Sequence, residues 1–176
     1  MTKKLLGEQR RAKIMELLRE ADTPITGTAL AKVANVSRQV IVTDMTLLKA
    51  RNEPILATSQ GYVYMPKEST PLYERIVACQ HTPAQTEEEL FAIVDCGVMV
   101  KNVIIEHGVY GDLTASIHVS NRLEVKQFLQ KVAEEQAMYL SALTDGTHLH
   151  TLVAPTTAML DCAEQALRDS GFLIEN

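Results

Sequence analysis

The chain has 176 residues, of which 46% are hydrophobic, enough for one large domain or two small ones with packed cores. No apolar run is long enough to cross a bilayer, and Met1-Thr2-Lys3-Lys4 is not followed by the apolar core of a signal peptide. A membrane or exported protein is therefore not expected; a soluble, cytoplasmic one is. The net charge of −5 is uneven, with +4 on residues 1–66 and −9 on residues 67–176, so a basic front end able to meet a polyanion precedes an acidic back end. Cys79, Cys96 and Cys162 are odd in number and lack metal-ligand spacing, which predicts small core residues kept reduced.

Residues 8–20 read as a helix with an apolar stripe of Ile14, Leu17, Leu18 and Ala21, stopped by Pro24. A short helix over 27–34 follows, with Leu30, Ala31 and Val33 turned inward, then a tight turn at Asn35-Val36. Ser37 is placed to cap a third helix over 38–51. Three helices with a short turn between the last two predict a helix-turn-helix. On the third helix, Ile41, Met45 and Leu48 make the buried face. Arg38, Gln39, Val42, Thr43 and Thr46 line the other side near the N-terminus, where recognition helices touch base edges, and Ser37 joins Arg38, Gln39, Val42 and Thr43 as a candidate DNA contact. Arg38 suits guanine, Gln39 suits adenine and Val42 suits a thymine methyl group, while Lys49 and Arg51 suit phosphates. The plainer alternative is a solvated polar face. Residues 55–58 and 62–64, joined through Ser59-Gln60-Gly61, predict a hairpin, the wing. The polar, proline-bounded stretch 65–71 marks a boundary, giving domains 1–66 and 67–176.

The back half reads as a strand over 72–80, then a helix opened by Thr82-Pro83-Ala84-Gln85 and running to about residue 95. Strands over 98–106 and 113–119 flank a turn at 108–112. Asn121 and Glu124 form a capping pair for a helix reaching about residue 138. A strand over 147–153 precedes a helix capped by Thr156 and a short end strand at 172–174. This order predicts an α+β sandwich, with helices packed on one face of a sheet.

In the strand over 147–153, His148 and His150 stand at i and i+2, so both imidazoles face one way. Such a pair ligates zinc, nickel, cobalt or iron(II), or else makes ordinary hydrogen bonds. His81 at a strand end and Glu89, about two turns into the next helix, are candidates for the rest of a site. Glu89 has other readings: the capping partner of Thr86, or an acid in the first turn beside Glu87 and Glu88. Thr82-Pro83 offers a better helix start, which leaves Glu89 free. His107 either lines the same pocket, the favoured reading, or bonds its turn; His118 reads as structural. The chain has no His-Glu-x-x-His, no phosphate-cradling glycine loop, no nucleophile elbow and no adenylate loop, so an enzyme is not expected.

Ile25-Thr26-Gly27-Thr28-Ala29-Leu30-Ala31, the run from Val36 to Met45, and Gly61-Tyr62 resemble the helix-turn-helix module of biotin-operon repressors and related bacterial regulators. His81-Thr82, Glu89-Leu90, Ile93-Val94-Asp95-x-Gly97, His107-x-Val109-Tyr110-Gly111, Ser120-Asn121-Arg122 and Leu143-Thr144-x-Gly146-x-His148-Leu149-His150-Thr151 resemble the 3H domain of niacin-responsive repressors, the NiaR family. The resemblance implies a winged helix-turn-helix followed by a 3H domain. It implies a repressor of genes for NAD biosynthesis or niacin uptake, with nicotinic acid as co-repressor. It also implies a divalent metal held by His81, Glu89, His148 and His150. His107, Tyr110 and Arg122 are the candidates for the remaining effector contacts. Regulators of this type act as homodimers on palindromic operator DNA. Where the family shows a proline after the histidine of its third motif, this chain has Gly108. A metal-only regulator, or a metalloenzyme with an appended DNA-binding domain, are the alternatives.

Overall fold

Three helices and a two-stranded hairpin build the first of the two units into which the chain divides, Met1–Ser69; a four-stranded sheet with three helices builds the second, Thr70–Asn176. The computed structural model describes residues 6–65 and 72–175. The expected boundary after residue 66, most of the proline-bounded stretch and the N-terminal Met1-Thr2-Lys3-Lys4 lie outside the described residues.

In the first unit, α1 (Gly7–Glu20), α2 (Gly27–Ala34) and α3 (Arg38–Ala50) bury Ile14, Met15 and Leu18 against Leu30, Ala31, Ala34, Ile41, Met45 and Leu48. Val33 was expected inside and is exposed; Ala34, one turn beyond Leu30, takes that place in the core. Thr26 caps α2 by accepting from the Ala29 amide at 3.1 Å, and Asn35 ends it with a left-handed φ of 51°. Ser37 occupies the N-cap position of α3, but its hydroxyl makes no cap bond. A buried acid crosses the helices: Asp44 of α3 meets Arg10 at 2.5 Å and Arg11 at 3.1 Å, both from α1. Strands β1 (Ile55–Thr58) and β2 (Gly61–Tyr64) pair antiparallel as the wing. Ile25 and Tyr62 exchange both backbone hydrogen bonds, at 3.0 and 2.9 Å, tying the wing to the helices. Gly61 is required there, because a β-carbon would sit 2.6 Å from the Ile25 carbonyl oxygen.

In the second unit, β3 (Tyr73–Gln80), β4 (Met99–His107), β5 (Gly111–Val119) and β6 (Thr147–Ala154) form an antiparallel sheet in the order β3-β6-β4-β5. The last strand in sequence is thus central. Helices α4 (Thr86–Val94), α5 (Arg122–Glu134) and α6 (Thr157–Asp169) share one core with the sheet, built on Leu90, Ile93, Val100, Val119, Val125, Leu152, Leu160 and Leu167. The expected α+β arrangement is the one found. Thr82 and Gln85 form a capping box, as their spacing suggests, over a 3-10 turn at Pro83–Gln85 that leads into α4. Asn121 caps α5 by accepting from the Glu124 amide at 3.0 Å. That helix stops at Glu134, short of the expected residue 138. The short end strand at 172–174 is a single bridge between Leu173 and Cys79.

The cysteines differ from expectation. Cys96 and Cys162 are joined in a disulfide between the loop after α4 and helix α6, while Cys79 is a buried free thiol. Their sequence separation of 66 residues hid the pairing: helix–helix packing brings their α-carbons to 5.9 Å.

Candidate metal centre

Strand register brings the histidines together. In the β3–β6 ladder, Cys79 lies opposite His148 and Val77 opposite His150. His81 follows β3 directly, two residues beyond Cys79 and on the same side. The chain returns to that point at Gly146, where a β-carbon would lie 2.1 Å from the His81 carbonyl oxygen. Only glycine permits this approach, and its φ of 89° is one that glycine tolerates. Glu89 comes from the first turn of α4 and is 1% exposed. Its carboxylate stands 2.7 Å from His81 Nε2, 3.1 Å from His148 Nε2 and 3.3 Å from His150 Nε2.

The outer nitrogen of each ring is already committed. His81 Nδ1 lies 2.8 Å from the Thr82 carbonyl, His148 Nδ1 2.8 Å from the Gly146 carbonyl and His150 Nδ1 2.7 Å from the Asn102 carbonyl. A carbonyl only accepts, so each Nδ1 carries a proton and, in the neutral ring, each Nε2 presents a lone pair. Three lone pairs and a carboxylate therefore converge. His148 and His150 Nε2 are only 3.1 Å apart. Two lone pairs at that distance need a proton or a cation between them. Metal-binding histidines are held by outer hydrogen bonds of this kind, so the donor set fits a divalent ion of the borderline class, zinc, nickel, cobalt or iron.

The electrostatics agree. Burial pushes the Glu89 carboxyl up, but attraction to His150 and the close Nε2 contacts of His148, His150 and His81 outweigh it and hold the carboxyl well below its usual range. Burial lowers His81 and His150, and the Glu89 carboxylate more than reverses this, leaving both raised. Neither Glu89 nor Thr86 caps α4, which has no side-chain cap bond; the capping box of Thr82 and Gln85 belongs to the 3-10 turn before it.

Two neighbours were missed. Cys79 was expected only as a core residue, yet its sulfur, a Glu89 oxygen and a His148 nitrogen lie within 4.8 Å of one another. Burial and the adjacent Glu89 push the thiol up, so Cys79 remains protonated and donates to the carboxylate. Its position two residues before His81 on one strand was the available signal. The second is a cavity of about 230 Å³ lined by His81, Glu89, His148 and His150 together with Thr86, Phe128, Val132, Tyr139 and Ser141. It forms between α5, the sheet and the 3-10 turn at Leu140–Thr144, so no local pattern reveals it.

The proposed effector contacts lie elsewhere. His107 and Tyr110 are at the β4–β5 turn, where His107 Nδ1 accepts from the Val109 and Tyr110 amides and Tyr110 is 74% exposed. Arg122 pairs with Asp95 at 2.7 and 2.5 Å and covers the Phe91 ring. None of the three lines the cavity. His107, favoured from its motif as a pocket residue, satisfies the turn amides, the other role its position allowed. His118 is half-buried on β5, at a left-handed φ of 48° beside a register shift in the β4–β5 ladder.

On the first unit, Ser37, Arg38, Gln39 and Thr43 are exposed along the start of α3, and Val42 is half-buried. Arg38 and Lys49 have no ion pair among the described residues, whereas Arg51 holds Glu8 at 2.8 Å. Arg51 and Arg11 keep the Glu8 carboxyl at about 2.

The family model described as the 3H domain matches residues 74–176, and a model described as an HTH domain matches residues 10–63. The chain is 57% identical over 175 residues to the "Transcription repressor NadR" of Bacillus subtilis (strain 168), covering 98% of this chain and 97% of that protein. It is 36% identical over 175 residues to the "Probable transcription repressor NiaR" of Thermotoga maritima, covering 99% of each.

Proposed function

Because the chain belongs to the 3H-domain family and carries an N-terminal HTH domain, we propose that it is a transcription repressor whose operator affinity is set by nicotinic acid, acting as co-repressor, and by a divalent metal in the second unit. The relatives named as transcription repressors match it along nearly their whole length, which favours a regulator over an enzyme. Genes of NAD biosynthesis or niacin uptake are the proposed targets, and the cytoplasm, where the operator lies, is the proposed location. No helix among the described residues is long and apolar enough to cross a membrane.

The observation that carries the metal reading is the convergence of three Nε2 lone pairs on one buried carboxylate, each ring fixed from behind by a carbonyl. His81, Glu89, His148 and His150 would hold the ion. When bound, a divalent ion supplies a net positive charge that one carboxylate does not cancel, which suits an anionic effector in a unit of net charge −9. The cavity beside the cluster supports an effector of one ring. An apolar cavity of about 150 Å³ accommodates benzene; about 230 Å³ leaves room for one substituted ring and too little to enclose a dinucleotide.

Operator recognition is assigned to Ser37, Arg38, Gln39, Val42 and Thr43 at base edges, with Lys49 at a phosphate. A homodimer is part of the reading, since two-fold operators match two-fold proteins. Ile76 and Leu149, exposed on the sheet face opposite the histidines, are compatible with a subunit contact. The test of the metal reading is elemental analysis with native mass spectrometry. Near-stoichiometric metal is expected in the purified protein, and strong loss in His148→Ala and His150→Ala with unchanged circular dichroism. Full retention in the double variant contradicts the site.

A further inference from the structure

Thr86 carries one of the two buried side-chain polar atoms that lack a hydrogen-bond partner among the described residues. The residue is only 8% exposed and lines the cavity beside the histidine cluster. Leaving a buried hydroxyl unpaired is costly, so such a group usually has a partner the bare chain does not supply. Local roles are already filled. The capping box of Thr82 and Gln85 closes the 3-10 turn that leads into α4, and the Thr86 amide bonds the Pro83 carbonyl. Nothing in the helix asks for a threonine here, while an apolar residue would suit the apolar walls formed by Leu90, Phe128 and Val132.

Thr86 and Glu89 stand at i and i+3 on α4, on one face and about 5–6 Å apart at their β-carbons. The cavity wall is thus ionic at the cluster and carries the unpaired Thr86 hydroxyl about one helical turn away, among mostly apolar side chains. We propose that Thr86 is the specificity-determining residue of the effector site: its hydroxyl donates to a ring nitrogen of a single-ring heteroaromatic carboxylate whose carboxylate lies toward the histidine cluster. The inference rests on the metal and effector reading given above and adds to it the orientation of the ligand. The carboxylate belongs at the cluster because that is where the proposed cation stands. The ring nitrogen, an acceptor at neutral pH, then falls at the hydroxyl. A ring without nitrogen leaves the hydroxyl unpaired and is discriminated against by that lost bond.

The experiment is calorimetric titration of the full-length, metal-loaded protein with nicotinate, benzoate and nicotinamide. The proteins are the wild type, Thr86→Val and Thr86→Ser, with metal content and melting temperature recorded for each. The wild type is expected to bind nicotinate roughly five- to tenfold more tightly than benzoate. Thr86→Val is expected to lose that preference, binding nicotinate about as weakly as benzoate, with metal content unchanged. Thr86→Ser, which keeps the hydroxyl, is expected to restore the preference and serves as the measurement if the valine variant folds poorly. Nicotinate affinity and preference unchanged in Thr86→Val overturn the inference alone, since the effector would still bind. A wild type that binds no nicotinate overturns the effector reading and this inference with it.

Discussion

Protonation of the His81 and His150 imidazoles beside one carboxylate gives the cluster opposite pH behaviour with and without metal. In the metal-free protein Glu89 raises His81 and His150 above the ordinary 6.5 and is itself held below 4.5. A group raised on folding stabilises fully below its unfolded value and loses that contribution as pH climbs through the raised one. A depressed carboxyl stabilises above its unfolded value and loses that as pH falls through the depressed one. The metal-free cluster therefore contributes most between about pH 4.5 and 6.5 and less above it. Metal needs the rings neutral, so the loaded protein is expected to gain stability from about pH 6 to 8, where the stripped protein loses it. Thermal melts of both forms across that range test this, and parallel curves contradict it. Charge also separates the candidate DNA contacts. Arg38→Ala is expected to weaken specific operator binding by about 1–3 kcal/mol and relax preference at one base pair. Lys49→Ala is expected to weaken all sequences alike and lower the salt slope by about 1. Arg51 is already engaged by Glu8, so its removal disturbs the α1–α3 contact as well. An Arg38→Ala shift assay with operator preference intact would relocate the reading face.

The element that sets the cluster is β6, whose alternation turns His148 and His150 to one side while its central place in the sheet buries them. Gly146, at its entrance, supplies a carbonyl to His148 Nδ1 and passes against His81. Gly146→Ala is therefore expected to lower stability by about 2 kcal/mol or more and to reduce metal content, since the backbone must move apart. Gly108→Ala is the control: a β-carbon there has nothing within 4 Å, and neither quantity is expected to change. Equal effects of the two substitutions would show that the close approach is unimportant. The same strand marks what the sequence makes legible. The facing of His148 and His150 follows from a period of two, and the Thr82–Gln85 and Asn121–Glu124 caps from local spacing. The meeting of His81 with Glu89 and β6 depends on a strand pairing between residues nearly 70 positions apart, which no local pattern encodes. For that step the family resemblance stood in for geometry. Neither source revealed the Cys96–Cys162 bond, and the motif around His107 suggested a pocket where the chain makes a turn.

At the scale of the whole chain, the charge asymmetry and the two family matches agree on a division of labour. On the proposed reading, a basic unit reads DNA and an acidic unit, given a cation, receives an anion. Coupling between two binding events is reciprocal, so an effector that raises operator affinity must itself bind more tightly when operator is present. The most direct measurement is operator affinity of the metal-loaded and the metal-stripped protein, by fluorescence anisotropy at fixed salt, with and without nicotinate. The account predicts that nicotinate tightens operator binding of the loaded protein by about 5- to 150-fold, the usual range of allosteric coupling, that nicotinamide does so less, and that stripping the metal abolishes the effect. Nicotinate that leaves operator affinity of the loaded protein unchanged, or acts equally on the stripped protein, would contradict it.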